Sequence, residues 1–160
     1  MTRPETTMIL TRRTLMATAG ALPVATLFAR GALAALPPVY MERGIAIDGS
    51  DPVAYFTERR PVPGSRDITL DWNGATWRFA SAENRDAFAG DPAAWAPQYG
   101  GYCAWAVSEG YTASTVPEAW KIVDGRLFLN YSRRFQRKWE RDETARIQAG
   151  DANWPKVLQG

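Results

Sequence analysis

The 160 residues suffice for one domain with a hydrophobic core, and seven Trp, six Tyr and six Phe with 22% charged residues describe a globular chain rather than a disordered one. The net charge of +2 belongs to the N-terminus: Arg3, Arg12, Arg13 and Arg30 precede Ala35 against Glu5 alone, leaving 15 basic and 16 acidic residues beyond it, so charge gives no reason to expect nucleic acid or an anionic membrane surface as a partner. A single cysteine, Cys103, excludes an internal disulfide, and the lack of histidine removes the commonest general base and metal ligand.

Thr11-Arg12-Arg13-Thr14 leads into an apolar run over 15–28, followed by Arg30 and Ala32-Leu33-Ala34. Basic, apolar and small-residue regions in that order predict a cleavable export signal over residues 1–35, cut after Ala34. The run is about 14 residues long and is interrupted by Gly20 and Pro23, whereas a membrane-spanning helix needs about 20, so no permanent anchor is expected. The pair Arg12-Arg13 resembles a twin-arginine leader, which implies export of the folded chain by the twin-arginine translocase to the periplasm.

Residues 36–43, beginning Leu36-Pro37-Pro38, read as an extended linker, because proline disfavours helix in the residue before it. The domain proper is expected over 44–160. Residues 44–47 form a strand candidate, Asp48-Gly49 turns the chain, and Asp51-Pro52 opens a short helix over 53–56. A proline-rich loop over 59–65 follows. Ile68, Leu70 and Trp72 alternate before Asn73-Gly74, and Ala75, Trp77 and Phe79 alternate after it, which predicts a hairpin pairing Leu70 with Trp77 and Ile68 with Phe79. Ser81 caps a helix containing Phe88, and Asp91-Pro92 opens a short helix that carries Trp95 and stops at Pro97.

Past Tyr99-Gly100-Gly101-Tyr102-Cys103, residues 104–109 read as a helix stopped by Gly110. Residues 120–129 repeat the hairpin pattern about Asp124-Gly125, with Ile122 opposite Leu127 and Trp120 opposite Leu129. Ser132 caps a helix running to about 149 and closed by Gly150. Phe135 and Trp139 share its face, and Lys138/Asp142 and Asp142/Arg146 have ion-pair spacing. Its arginines are interleaved with Glu140, Asp142 and Glu143 and read as a solvated face. The fold class is α+β: a small antiparallel sheet built from two hairpins, with short helices and a longer C-terminal helix packed on it.

The candidate ligand-binding stretch is Tyr99, Gly100, Gly101, Tyr102 and Cys103, where a Gly-Gly pair lets the main chain turn sharply or meet a ligand closely. The same pattern also describes a tight turn delivering a buried thiol. Cys103 is a possible single metal ligand, and Asp48 with Asp51 could hold a hard cation or cap turns. With no histidine to activate Cys103, Cys-His catalysis is excluded, and no motif selects a catalytic carboxylate pair.

Several stretches together resemble the YHS-domain family, specifically its small exported members: Ile45-Ala46-Ile47-Asp48-Gly49, Asp51-Pro52-Val53-Ala54-Tyr55-Phe56, Trp77-Arg78-Phe79-Ala80-Ser81, residues 99–104 and Leu127-Phe128-Leu129-Asn130. The resemblance implies a small metal-associated or accessory module. Metal-linked members look like Asp-Pro-Val-Cys followed by Phe-Cys-Ser-x-x-Cys; here Ala54, Ala80 and Asn84 stand where those thiols would be. The expected function is an exported ligand-binding or accessory module without catalysis of its own. Its cofactor is unidentified, a metal ion being possible, and its partner is a small ligand, a metal or a periplasmic protein. Two alternatives are a thiol-dependent redox protein using Cys103, and a metal transport or assembly factor binding through Cys103 in a dimer.

Overall fold

The computed structural model describes residues 35–159; the expected export signal, with Arg12 and Arg13, falls on residues outside the described ones. Within them the fold is α+β. Strands β1 (Met41–Glu42) and β2 (Ile45–Ala46) form a minimal hairpin. β2 then pairs in parallel with β4 (Ala75–Phe79), which is antiparallel to β3 (Ser65–Trp72), giving the order β1-β2-β4-β3. Asn73 and Gly74 both adopt positive φ, 51° and 82°, as a primed two-residue turn requires. Leu70 faces Trp77 as the alternation predicts, but Ser65, not Ile68, faces Phe79. The start of β3 is tied elsewhere, through Asp51 N–H to the Val62 carbonyl and Gly64 N–H to the Gly49 carbonyl, both at 2.8 Å. The surplus residues therefore bulge out on an edge strand, where a bulge costs least.

The second hairpin, β5 (Trp120–Val123) and β6 (Arg126–Leu129), keeps the register read from the sequence but forms its own two-stranded sheet instead of extending the first. The reason is that β6 is buried on both faces. Leu127 and Leu129 join a core with Val39, Trp77, Phe79 and Phe88, while Phe128 between them joins a second core with Tyr99, Tyr102, Val107 and Trp139. Period-2 alternation thus turns the strand into a partition between two apolar clusters.

Short helices surround these cores: α1 (Ala54–Thr57), α2 (Ala82–Gly90), α3 (Pro92–Trp95) and α4 (Ala104–Ser108). The Ser81 hydroxyl accepts from Asn84 N–H and the Asp91 carboxylate from Ala94 N–H, so both expected caps form. The single C-terminal helix expected over 132–149 is instead two, α5 (Arg133–Glu140) and α6 (Glu143–Asn153), separated by a non-helical Asp142. The break dissolves the expected Lys138/Asp142 and Asp142/Arg146 pairs: Arg146 turns to Glu109 and the Ser108 hydroxyl, and Lys138 lies over aromatic rings.

Gly150 does not close the helix, which continues to Asn153. It is where Tyr99 passes, since a Cβ there would lie 2.5 Å from the Tyr99 hydroxyl. Residues 36–43, read as a linker, are built into the fold. Val39 is fully buried, the Leu36 amide donates to the Leu158 carbonyl, and Tyr40 N–H donates to the Gly100 carbonyl. Among the described residues no helix is long and apolar enough to cross a membrane.

Candidate functional site

Tyr99, Gly100 and Gly101 occupy the left-handed region in succession, at φ 55°, 59° and 85°. Both glycines are required by the N-terminal segment packed on them. A Cβ on Gly100 would lie 1.9 Å from the Pro38 carbonyl oxygen, and one on Gly101 would lie 2.6 Å from Ile47 Cγ2. Tyr99, with a side chain, bears a left-handed strain of about 1–2 kcal/mol, and its buried ring offsets this. The ring packs against Phe128 and Trp154, and its hydroxyl donates to Asp151 Oδ1 at 2.9 Å, with the Ile147 carbonyl at 3.2 Å. Burial and the Asp151 carboxylate raise the Tyr99 pKa well above that of a free phenol, so it stays a donor. Asp151 also accepts from Arg126 at 2.6 and 3.1 Å, which holds its carboxyl below the usual range, and Arg126 Nε donates to the Gln98 side chain.

This polar chain borders a cleft of about 410 Å³ walled by Trp72, Trp77, Pro97, Gln98, Tyr99, Gly100, Asp151 and Trp154. A concavity of that size, with four aromatic residues and three prolines in its lining and a few polar groups among them, suits a small organic ligand. Sequence reasoning singled out Tyr99 and Gly100 but not Gln98, Asp151 and Trp154 of the lining, nor Arg126, which holds Gln98 and Asp151 from behind; only the tertiary fold assembles these.

Cys103 faces elsewhere. It is 1% exposed, its sulfur accepts from Tyr131 N–H at 3.2 Å, and its thiol lies 3.7 Å from the Asn130 carboxamide oxygen. Burial pushes its pKa up, with the Ala106, Tyr131 and Trp105 amides acting in the opposite direction. No base stands beside it, so the thiol is poorly placed as a nucleophile. Tyr102 is also core, donating to the Pro37 carbonyl at 2.9 Å. The Tyr99–Cys103 stretch is therefore split: its first half lines the cleft and its last residue lines a separate groove.

Asp48 and Asp51 do not act together. Asp48 is exposed, with φ 56°, and its carboxylate lies 3.4 Å from the Tyr40 hydroxyl. Asp51 is fully buried and accepts from four donors: Val53 N–H at 2.9 Å, Ala54 N–H at 3.3 Å, Ala80 N–H at 2.8 Å and Asn84 Nδ2 at 2.6 Å. The fold thus brings Ala80 and Asn84 to the carboxylate that also caps the helix at Ala54. A soft metal needs thiolate, thioether or imidazole ligands there, but two alanines and an amide supply none, and the carboxylate oxygens are already engaged. A metal at these residues does not fit. Among the described residues no group of three or more His, Cys, Asp or Glu side chains is arranged to hold a metal ion. No protein-family model, curated protein or solved structure matches the chain.

Proposed function

We propose that the chain is an exported YHS-type accessory module that binds a small ligand in the aromatic cleft beside Tyr99 and performs no catalysis of its own. The observation that carries the reading is the convergence of Ala54, Ala80 and Asn84 on Asp51. Those are the three positions at which the resemblance implies metal-binding thiols: Ala54 meets Asp51 through a local cap, and Ala80 and Asn84 reach the same carboxylate from about 30 residues away. On this reading an internal hydrogen-bond hub stands where the ligands would be, and binding is assigned instead to the 410 Å³ cleft, where Trp72, Tyr99 and Trp154 meet the polar groups of Gln98 and Asp151. The buried Cys103, with its raised pKa, argues against the thiol-redox alternative.

The test is native mass spectrometry and elemental analysis of the protein recovered from the periplasm after expression of the full chain with its leader. A small-molecule adduct is expected in the wild type and should be lost in Ala93→Trp, which fills the cleft from an exposed wall position. Stoichiometric metal, or an adduct indifferent to Ala93→Trp, would overturn the reading. So would retention of the chain in the cytoplasm, or recovery of the wild type without adduct.

A further inference from the structure

The floor of the second concavity is Cys103 with Ala106, and its walls are Trp105, Tyr111, Tyr131 and Phe135; it measures about 190 Å³ and no carboxylate lines it. Sites for drug-sized ligands usually span about 300 Å³ or more, so this groove has room for one large side chain rather than a free metabolite. Tyr111 and Tyr131 are 48% and 50% exposed, among the most exposed large apolar residues described. Single exposed aromatics are ordinary, but aromatic walls gathered about one concavity mark an interaction surface. The rings hold one another in place, with centroids 4.9 Å apart for Trp105 and Phe135, 6.2 Å for Trp105 and Tyr111, and 5.8 Å for Tyr131 and Phe135.

The rim is cationic. Lys138 Nζ lies 4.9 Å from the Phe135 ring centroid and 5.4 Å from that of Trp105. Arg134, Lys138 and Arg141 recur at i, i+4 and i+7, which puts them on one stripe beside Phe135. None of the three takes part in an ion pair among the described residues, whereas Arg146, also over Trp105, is neutralised by Glu109. Residues 36–160 carry 15 basic and 16 acidic residues in all, so three unpaired cations on one stripe are a local excess.

We infer that the groove docks an acidic segment of a partner protein, with one aromatic or large aliphatic side chain seated between Trp105 and Tyr131 and flanking carboxylates against Lys138 and its stripe. The apolar hole supplies the anchor and the unpaired cations set the sign of the flanks. A polyanion lacking such an anchor, whether RNA or an anionic bilayer, would meet the stripe and leave the hole empty.

Fluorescence anisotropy on the exported protein tests this with three labelled heptapeptides: Glu-Asp-Glu-Phe-Glu-Asp-Glu, the same peptide with Ala in place of Phe, and the same with Lys in place of every acid. The acidic Phe peptide should bind at least tenfold tighter than the other two and weaken as salt rises. Tyr131→Ala and Lys138→Glu should each cost tenfold or more, with Lys138→Arg close to wild type and Ala93→Trp without effect. Thermal midpoints confirm that each variant is folded; Tyr131 is half exposed and its loss leaves the core intact. Absence of binding, equal binding of the Ala or Lys peptide, or indifference to Tyr131→Ala would overturn the inference. Binding of phosphatidylglycerol vesicles or a single-stranded RNA with the same Tyr131 dependence would also overturn it.

Discussion

Asp51→Ala is the perturbation that tests most directly how this domain is organised. The substitution removes the acceptor of four N–H groups on three separate segments: the start of α1, the residue after β4, and the first turn of α2. Loss of the α1 cap costs about 1 kcal/mol. The bonds from Ala80 N–H and Asn84 Nδ2 are short and charge-assisted, each worth about 1.5–3 kcal/mol, and both donors are part-buried, so water re-solvates them in part. The expected loss is about 3–5 kcal/mol, a large fraction of the roughly 5–15 kcal/mol that holds a domain folded. Asn84→Ala removes only one donor and should cost about 1–2 kcal/mol.

Urea denaturation followed by tryptophan fluorescence measures both, with an unchanged m-value required before the midpoint is converted to free energy. The double variant should be more stable than the sum of the single losses implies, by about 1–2 kcal/mol, because the second substitution removes a donor that the first had already orphaned. A midpoint for Asp51→Ala within about 1 kcal/mol of wild type would refute the argument that this carboxylate holds the three segments together.

Gly150→Ala sets helix propensity against packing. Alanine gains about 1 kcal/mol in a helix interior, but the new methyl would meet Tyr99, so a net loss of about 1–3 kcal/mol is expected in the same assay, and any gain refutes the close-contact reading. Cys103→Ala should fold and lose about 1–2 kcal/mol, and the wild-type thiol should resist a disulfide reagent until denaturant is added; rapid labelling of the native protein would contradict its burial. Asp48 and Asp151 should respond to pH with opposite signs. Although Asp48 is exposed, partial desolvation of its carboxylate and the charge of Glu42 raise its pKa, so its ionisation opposes folding above the unfolded-state value, and Asp48→Asn should stabilise at neutral pH by ~0.5 kcal/mol or less and lose that advantage as acid protonates the wild type. Arg126 depresses the Asp151 pKa, so its contribution is present at neutral pH and lost as pH falls through the lowered value; Asp151→Asn should cost ~0.5–1 kcal/mol at pH 7 and nothing in strong acid, as read from urea midpoints across pH.

What the sequence makes legible here is whatever depends on neighbours in the chain. The Asn73-Gly74 and Asp124-Gly125 turns, the Ser81 and Asp91 caps and the register of β5 with β6 are all local, and alternation or capping chemistry specifies each. The bulge in β3 depends on where residues 62–64 are tied, and the break between α5 and α6 accompanies Arg146 turning to α4, so neither is visible in a helical or strand period. Gly150 is the clearest case. Near the end of a helical pattern a glycine reads as a terminator, yet here it makes room for an aromatic ring from 51 residues earlier, information that no window around position 150 contains.

The candidate site follows the same division. In the conspicuous Tyr99–Cys103 stretch two adjacent glycines indicate close backbone approach, and what approaches Gly100 is the segment around Pro38, so that part of the signal is architectural. The cleft's lining draws on residues with no local motif: Asp151 in α6, which accepts from the Tyr99 hydroxyl and from Arg126 at the start of β6, and Trp154 just after α6, which packs on the Tyr99 ring. Because β6 packs Leu127 and Leu129 into one core and Phe128 into the other, Arg126 is fixed in position by both. The partition strand therefore couples the cleft to both halves of the core, and a ligand engaging Tyr99 or Asp151 would stabilise the whole domain rather than one edge of it. A cooperative rise in the single unfolding midpoint on ligand addition follows from that coupling, whereas a biphasic transition would mean that the two cores unfold separately.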